Sequence, residues 1–437
     1  MKVLKFGGTS VGTPQRMKDV AQLINDGQQK IVVLSAMSGT TNSLVEISDY
    51  YRKRNSEAAG SVINKLRTKY MQHLEELYTQ EETKQKTRAL LEEIFIFLHS
   101  FAGCEFSDAN EKAILAQGEL MSTNMVTNYL LEQGVKVLLL PALDYMRIDE
   151  KGEPDTHFIK KQLETLLAAN KHYDLYITQG FICRNRMGEI DNLQRGGSDY
   201  TACLIGAALR TEEIQIWTDI DGMHNNDPRV VEGTQPVRQL HFEEAAELAY
   251  FGAKILHPTC IQPARYARVP VRLLNTMDPT APGTIINNEM QRGSIKAVAA
   301  KDNITAIKIV SSRMLLATGF LRKVFEIFET YNTSIDMVTT SEVGVSLSID
   351  NTSRIVPILE ELKKYGTVEV DDNMCIICVV GDLAWGNVGY ETLVTDALRD
   401  IPLRMISYGG SNHNISFLVR EEDKQAALQA LSKNLFH

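Results

Sequence analysis

The chain has 437 residues, 46 Lys+Arg against 55 Asp+Glu, a formal net charge of −9, and 44% apolar against 23% charged residues. At roughly 150 residues per domain this allows two or three domains with ample core. The acidic balance gives no general attraction to nucleic acid or to an anionic membrane surface, and no apolar run approaches the ~18–20 residues of a membrane span. The start, Met1 to Phe6, runs into a glycine loop without a signal-peptide stretch, so the expected address is the cytoplasm.

Residues 2–6 and 30–36 are short β-rich runs separated by an amphipathic stretch at 15–26. This β-α-β opening favours a parallel sheet with helices on its faces. From 43 to 100 the pattern is helical and rich in Glu, Lys and Gln, with its charges read as a solvated face. Strands are expected at 135–140, 175–179, 213–218 and 269–274, alternating with helices. Two prolines and a glycine in Asp278-Pro-Thr-Ala-Pro-Gly283 break any element and mark the domain exit.

Beyond that exit a β-α-β-β-α pattern occurs twice, about 70 residues apart. The first copy has strands at 304–310, 334–339 and 343–349 with helices at 319–331 and 354–364. The second has strands at 375–380, 403–407 and 414–419 with helices at 388–400 and 421–435. The expected domains are 1–283 (catalytic), 295–370 and 371–437 (paired regulatory modules). Six cysteines make no disulfide framework in a chain this long. Cys375-Ile-Ile-Cys378 has redox or metal spacing, but i and i+3 of a strand face opposite ways, so both read as buried strand thiols. The nine histidines include no H-x-x-x-H pair, and no zinc site is expected.

Four segments carry chemistry. In Lys5-Phe6-Gly7-Gly8-Thr9-Ser10 paired glycines let backbone N–H groups approach an anion, with Lys5 adding a full charge and a helix start a partial one. It is neither a Walker A loop nor G-x-G-x-x-G, and a plain βα-turn remains open. Arg195-Gly196-Gly197-Ser198-Asp199 suits capture of a carboxylate, or is a surface turn with an i,i+4 ion pair. Trp217-Thr218-Asp219-Ile220-Asp221-Gly222, with Asp227-Pro228-Arg229, suits Mg²⁺ and phosphate or forms a polar turn; EF-hand spacing is missing. Phe251-Gly252-Ala253-Lys254 supplies a second lysine for a transferring phosphoryl group, while His257 before Pro258 reads as structural. Glu119 by itself says little.

KFGGTSV, LSAMSGTTN, the QGE at 117–119, RGGSDYTA at 195–202, WTDIDG, the NDPR at 226–229 and FGAKILHP together resemble the aspartate kinases of the amino-acid-kinase superfamily, from residue 2 to about 435. The resemblance implies an α/β fold, a mostly parallel sheet sandwiched by helices, followed by two ferredoxin-like ACT modules. It implies transfer of the ATP γ-phosphoryl to the side-chain carboxylate of L-aspartate, with Mg²⁺ carried on ATP. By motif match, Lys5, Gly7, Gly8, Thr218, Asp219, His224, Arg229 and Lys254 line the nucleotide; His224 stands where many members have tyrosine. Thr41, Glu119, Arg195, Gly196, Gly197 and Ser198 hold aspartate, and Asp199 organises the loop and its charges. Lys5, Asp199 and Lys254 form the catalytic set. Attack by a carboxylate, pKa about 4, needs no general base.

In the first module Met314, Gly319, Phe320, Leu321, Ser334, Ile335, Asp336, Ser341 and Glu342 resemble the lysine-binding positions of lysine-inhibited members. The alternative reading makes them a dimer face. A homodimer through the ACT modules is expected, without a homoserine dehydrogenase domain. Rival readings are a sister kinase acting on glutamate, acetylglutamate or UMP, and a non-catalytic amino-acid sensor.

Overall fold

The computed structural model describes residues 1–193, 196–253, 257–311 and 318–436; Arg195, Lys254 and Met314 lie outside the described residues. The chain forms two compact units, Met1–Met223 with Leu256–Asn288, and His224–Ile255 with Glu289–His437. Residues 224–255, expected within the catalytic domain, therefore group with the C-terminal unit.

In the first unit the strands of the main sheet are β1 Lys2–Phe6, β2 Lys30–Leu34, β3 Val137–Leu140, β4 Leu175–Gln179, β5 Ile214–Thr218, β6 Val271–Asn275 and β7 Thr284–Asn287. They run in the order β7-β6-β5-β1-β2-β4-β3. Every neighbouring pair is parallel except β6–β7. All of β2 is buried, as a strand covered on both faces must be. The helix Ser56–Leu77 buries Ala59, Ile63, Leu66, Tyr70, Leu74 and Leu77, one stripe at helical spacing. That stripe joins Leu4, Phe6, Val32 and Leu34 in a single core. The helical stretch read at 43–100 is three helices, Thr40–Arg52, Ser56–Leu77 and Glu81–His99. Asn55 restarts the second by accepting a hydrogen bond from Ala58 N.

β1 lies inside the sheet, with β2 on one side and β5 on the other. The chain after β1 turns towards β2, and the chain after β5 turns towards β6. Strand order thus reverses at β1/β5, which opens a crevice at the carboxyl ends of the strands.

The main sheet of the second unit is antiparallel, of β8 Ile295–Val310, β9 Met337–Thr340, β10 Gly344–Ile349, β11 Thr367–Gly381, β12 Met405–Tyr408 and β13 Asn414–Arg420. Its order is β9-β10-β8-β11-β13-β12. Phe320–Thr330 and Ile355–Leu362 cover a core with Ile307, Ile309 and Leu347. Lys424–Phe436 covers a second core with Cys375, Ile377 and Phe417, joined by Val298, Ile295 and Ala300. The expected boundary between 295–370 and 371–437 therefore does not divide the cores. β8 and β11 each serve both, and β8 changes core where its register slips between Lys301 and Ala306. Asn303 sits there at φ 59°. Cys375 lies in the second core and is fully buried, as is Cys378. Burial pushes the Cys375 thiol up to about 12, so it is inert.

Candidate active site

Five segments of the first unit meet at the carboxyl ends of β1, β2 and β4: residues 5–8, 35–38, 118–119, 180–181 and 196–199. Lys5 lies within β1 and points its Nζ to Asp199 Oδ1, 2.7 Å away, with side chains 12% and 16% exposed. Asp199 thus binds Lys5 within the described residues. Gly8 follows closely; a Cβ there would stand 2.7 Å from the Ala36 carbonyl oxygen and 3.3 Å from Ser38 N. Ser38 N in turn donates to Gly8 O at 3.1 Å. Only glycine allows those two backbones to pass. Ser10 Oγ and Thr276 Oγ1, 2.9 Å apart, tie this loop to the end of β6.

The helix expected from the amphipathic stretch at 15–26 runs Pro14–Ile24, and Thr13 caps it by accepting from Arg16 N, so its start lies beyond the glycine pair. Thr13 followed by Pro14 is a better helix start than glycine. The open helix N-terminus in the site belongs to Gly197–Leu209. Gly196 precedes it in the left-handed region without a side-chain cap. Its first amides and its dipole therefore present positive charge. A Cβ on Gly196 would reach 1.9 Å from Cys260 Sγ, and one on Gly197 2.8 Å from the Phe181 ring. Ser198, buried, accepts from Ser35 Oγ at 2.9 Å.

Glu119, in the first turn of Gln117–Glu132, is 4% exposed. Its carboxylate accepts from Ala36 N at 3.1 Å. Burial pushes its pKa up to about 8, although the Ala36 amide pulls the other way. The group is therefore mostly protonated at neutral pH while no cation faces it. Thr41 is exposed in the first turn of Thr40–Arg52, behind Gly39 at φ 81°. Thr218 ends β5 and caps its own turn by accepting from Ile220 N at 3.2 Å. Asp219 is exposed beside it, whereas Asp221 accepts from Gly283 N at 3.1 Å and holds the fold. His257 caps the turn Pro258–Ile261 through Thr259, the structural role read from the sequence.

Sequence reasoning missed Phe181, Ser35 and Cys260. Phe181 has φ 67°, a strained value for a bulky residue. It is held by Thr201 Oγ1, which accepts its N–H at 3.0 Å, and by Leu193 N, which donates to its carbonyl at 2.7 Å. Nothing in the chain signals this. Ser35 belongs to the LSAMSGTTN segment and was legible as part of it. Burial, then Asp199 beside it, pushes the Cys260 thiol up to about 12, so it stays a protonated, unreactive thiol.

The remaining positions lie in the second unit. His224 Nδ1 is 2.8 Å from Thr234 Oγ1. Arg229 forms a two-pronged pair with Asp227 at 2.7 and 2.9 Å. Asp336, with a side chain 1% exposed, meets Lys301 Nζ at 2.7 Å and accepts from Tyr250 OH at 2.7 Å. Gly319 opens the helix Phe320–Thr330 at φ 84°. Phe320 is buried and Leu321 exposed. Ile335 packs on the first module's core. Ser334, Ser341 and Glu342 are exposed. Among the described residues no helix is long and apolar enough to cross a membrane.

This fold and crevice define a class. Residues 1–275 match the amino acid kinase family, and residues 377–435 match the ACT domain. The chain is 34% identical over 447 residues to lysine-sensitive aspartokinase 3 of Escherichia coli (strain K12), covering 99% of both. The crystal structure of E. coli aspartokinase III with aspartate and ADP (R-state) aligns over 100% of both chains at 34% identity and TM-score 0.85. The complex of that enzyme with lysine and aspartate (T-state) aligns over 100% of both at 35% identity and TM-score 0.81. The chain belongs to the amino acid kinase family, in its aspartokinase branch.

Proposed function

We propose that this chain transfers the γ-phosphoryl group of ATP to the side-chain carboxylate of L-aspartate, giving 4-phospho-L-aspartate and ADP, the step that opens lysine, threonine, methionine and diaminopimelate synthesis. The carrying observation is the juxtaposition of Lys5–Asp199, the uncapped Gly197–Leu209 N-terminus and buried Glu119 in one crevice. An aspartate carboxylate oxygen attacks the γ-phosphorus and the bond to the β–γ bridging oxygen breaks. The nucleophile is already ionised, so no base is required. Two anions must be positioned and the moving charge neutralised. Lys5, released from Asp199 towards phosphate, supplies charge at that point, and Lys254 is the proposed second cation. Gly7 and Gly8 leave room for phosphate oxygens; Thr218, Asp219, His224 and Arg229 complete the nucleotide side.

Glu119 answers the substrate ammonium. Arrival of that cation reverses the effect of burial and ionises the carboxyl group, so binding is linked to proton release. Ser198, the amides of Gly196 and Gly197, Arg195 and Thr41 are the proposed partners of the substrate carboxylates. Among the described residues of this unit no three His, Cys, Asp or Glu donors converge. Exposed Asp219 and largely buried Asp199, both hard oxygen donors, fit Mg²⁺ that arrives on the nucleotide and keeps its waters. When bound, that ion neutralises phosphate charge.

We further propose lysine as feedback inhibitor at the first ACT module, where Asp336 and Glu342 offer carboxylates to a cationic amino acid. The second unit is proposed to form a homodimer, with inhibition as a population shift. A cytoplasmic address accords with six free thiols. Trapping of the acyl phosphate with hydroxylamine under Mg-ATP tests the reaction. An aspartate-dependent hydroxamate is expected; a signal with glutamate alone moves the chain to a sister kinase, and none with either leaves a sensor.

A further inference from the structure

We infer that His241, Glu243 and His413 of the second unit form a binding site for a divalent transition-metal ion of the zinc type. The donor atoms His241 Nδ1, Glu243 Oε2 and His413 Nε2 all lie within 4.8 Å of one another. Glu243 Oε2 is 2.6 Å from His413 Nε2 and 3.9 Å from His241 Nδ1. Tetrahedral zinc, with bonds of about 2.0–2.1 Å, places its ligand atoms roughly 3.3 Å apart. Of the two pairs that include Glu243, one opens and the other closes by less than about an ångström, within the reach of a glutamate rotamer; the two imidazole nitrogens, no more than 4.8 Å apart, must close on the ion by rotation of the rings.

Both imidazoles stand on fixed backbone. His241 is the N-cap of Phe242–Tyr250, where its Nδ1 accepts from Glu243 N, so that nitrogen is unprotonated and the ion would take its lone pair in place of this capping bond. Its own N–H donates to Glu244 Oε2 at 2.7 Å. His413 precedes β13; its N–H donates to Ser411 Oγ at 3.1 Å and its carbonyl accepts from Gly381 N at 3.0 Å. The two rings stack with centroids 5.8 Å apart. His413 Nε2–H now donates to Glu243, and the ion takes the place of that proton. His241 and His413 are 14% and 11% exposed by side chain and Glu243 38%, which leaves a solvent side for entry and for a fourth, water ligand. Glu244 and Asp382 lie near and add negative charge against Lys296. Two imidazoles with one carboxylate select zinc-type ions over Mg²⁺ or Ca²⁺.

The ion would join Phe242–Tyr250 to the second module within the second unit, through residues that have no assigned part in phosphoryl transfer. The full chain, stripped with chelator and titrated with Zn²⁺ by equilibrium dialysis, should bind one ion at this site, with a rise in melting temperature. Co²⁺ should give the visible absorption of a four-coordinate site, displaced by Zn²⁺. His413→Asn and Glu243→Gln should each weaken binding at least about tenfold and leave hydroxamate formation unchanged. Glu243→Gln alters a partly exposed side chain and carries the test if His413→Asn fails to fold. Absence of stoichiometric binding, or equal affinity in the variants, would overturn the assignment.

Discussion

Lys5 and Asp199, from opposite ends of the catalytic unit's sequence, meet at 2.7 Å with both side chains largely buried. A partly buried ion pair is a poor source of stability, because desolvation offsets much of the attraction. It does fix an ammonium at the mouth of the strands, ready for a stronger anion. Lys5→Met should lower kcat by about 10²–10³ with little change in KM for aspartate. Steady-state kinetics decide it: a raised KM with intact kcat would assign Lys5 to ground-state binding.

Glu119 predicts a pH dependence. Its folded pKa, about 8, lies above the usual value of 4.5. The folded state therefore binds the extra proton, and stability from this group is complete below about 4.5 and lost as pH rises through about 8. Glu119→Gln should flatten that slope in the ligand-free protein and be as stable or more stable at pH 8. It should also raise KM for aspartate at least about tenfold, since the charged partner of the ammonium is gone. Denaturant titrations between pH 5 and 9 would reveal an unchanged slope if the assignment is wrong.

The two adjacent glycines should respond differently to alanine. At Gly7 the nearest atom to a new Cβ is Lys5 Nζ at 3.6 Å, an ordinary contact. At Gly8 the Ala36 carbonyl at 2.7 Å cannot move without shifting β2's exit. Gly8→Ala should destabilise by about 1–3 kcal/mol and abolish most activity, whereas Gly7→Ala should fold normally. Equal melting temperatures for the two variants would contradict this.

Asp336 already holds an internal ammonium. Lys301 lies between Asp336 and Asp350, at 2.7 and 2.9 Å, over the Tyr250 ring at 4.5 Å. Burial works to lower the Lys301 pKa, and the two carboxylates outweigh it. If effector lysine uses Asp336, it competes with Lys301. Lys301→Met should then lower the half-inhibitory lysine concentration several-fold, and Asp336→Asn should remove inhibition. Lysine titrations that leave both variants like the parent protein would remove Asp336 from the effector site.

Much of this was legible without coordinates. The alternation of apolar runs and amphipathic stretches set the β-α-β opening, and strand expectations at 175–179 and 213–218 agree with β4 and β5 within one residue. The glycine pairs announced close backbone approach. By contrast, 295–303 was placed in the first module with no strand expected before 304, whereas β8 begins at Ile295. Its Val298 is needed by a core most of whose members lie far along the chain, from Cys375 onwards.

By itself the sequence determined the local conformations, the repeated module and the identity of the groups that handle phosphate and carboxylate, because these depend on periodicity and on side-chain chemistry. Only the tertiary structure decided that Asp199 faces Lys5, that Glu119 is dry enough to keep its proton, that Phe181 is strained against Gly197, and that His241 meets His413. Such facts arise from contacts between residues far apart in sequence, where burial, and not residue type, sets charge state and reach.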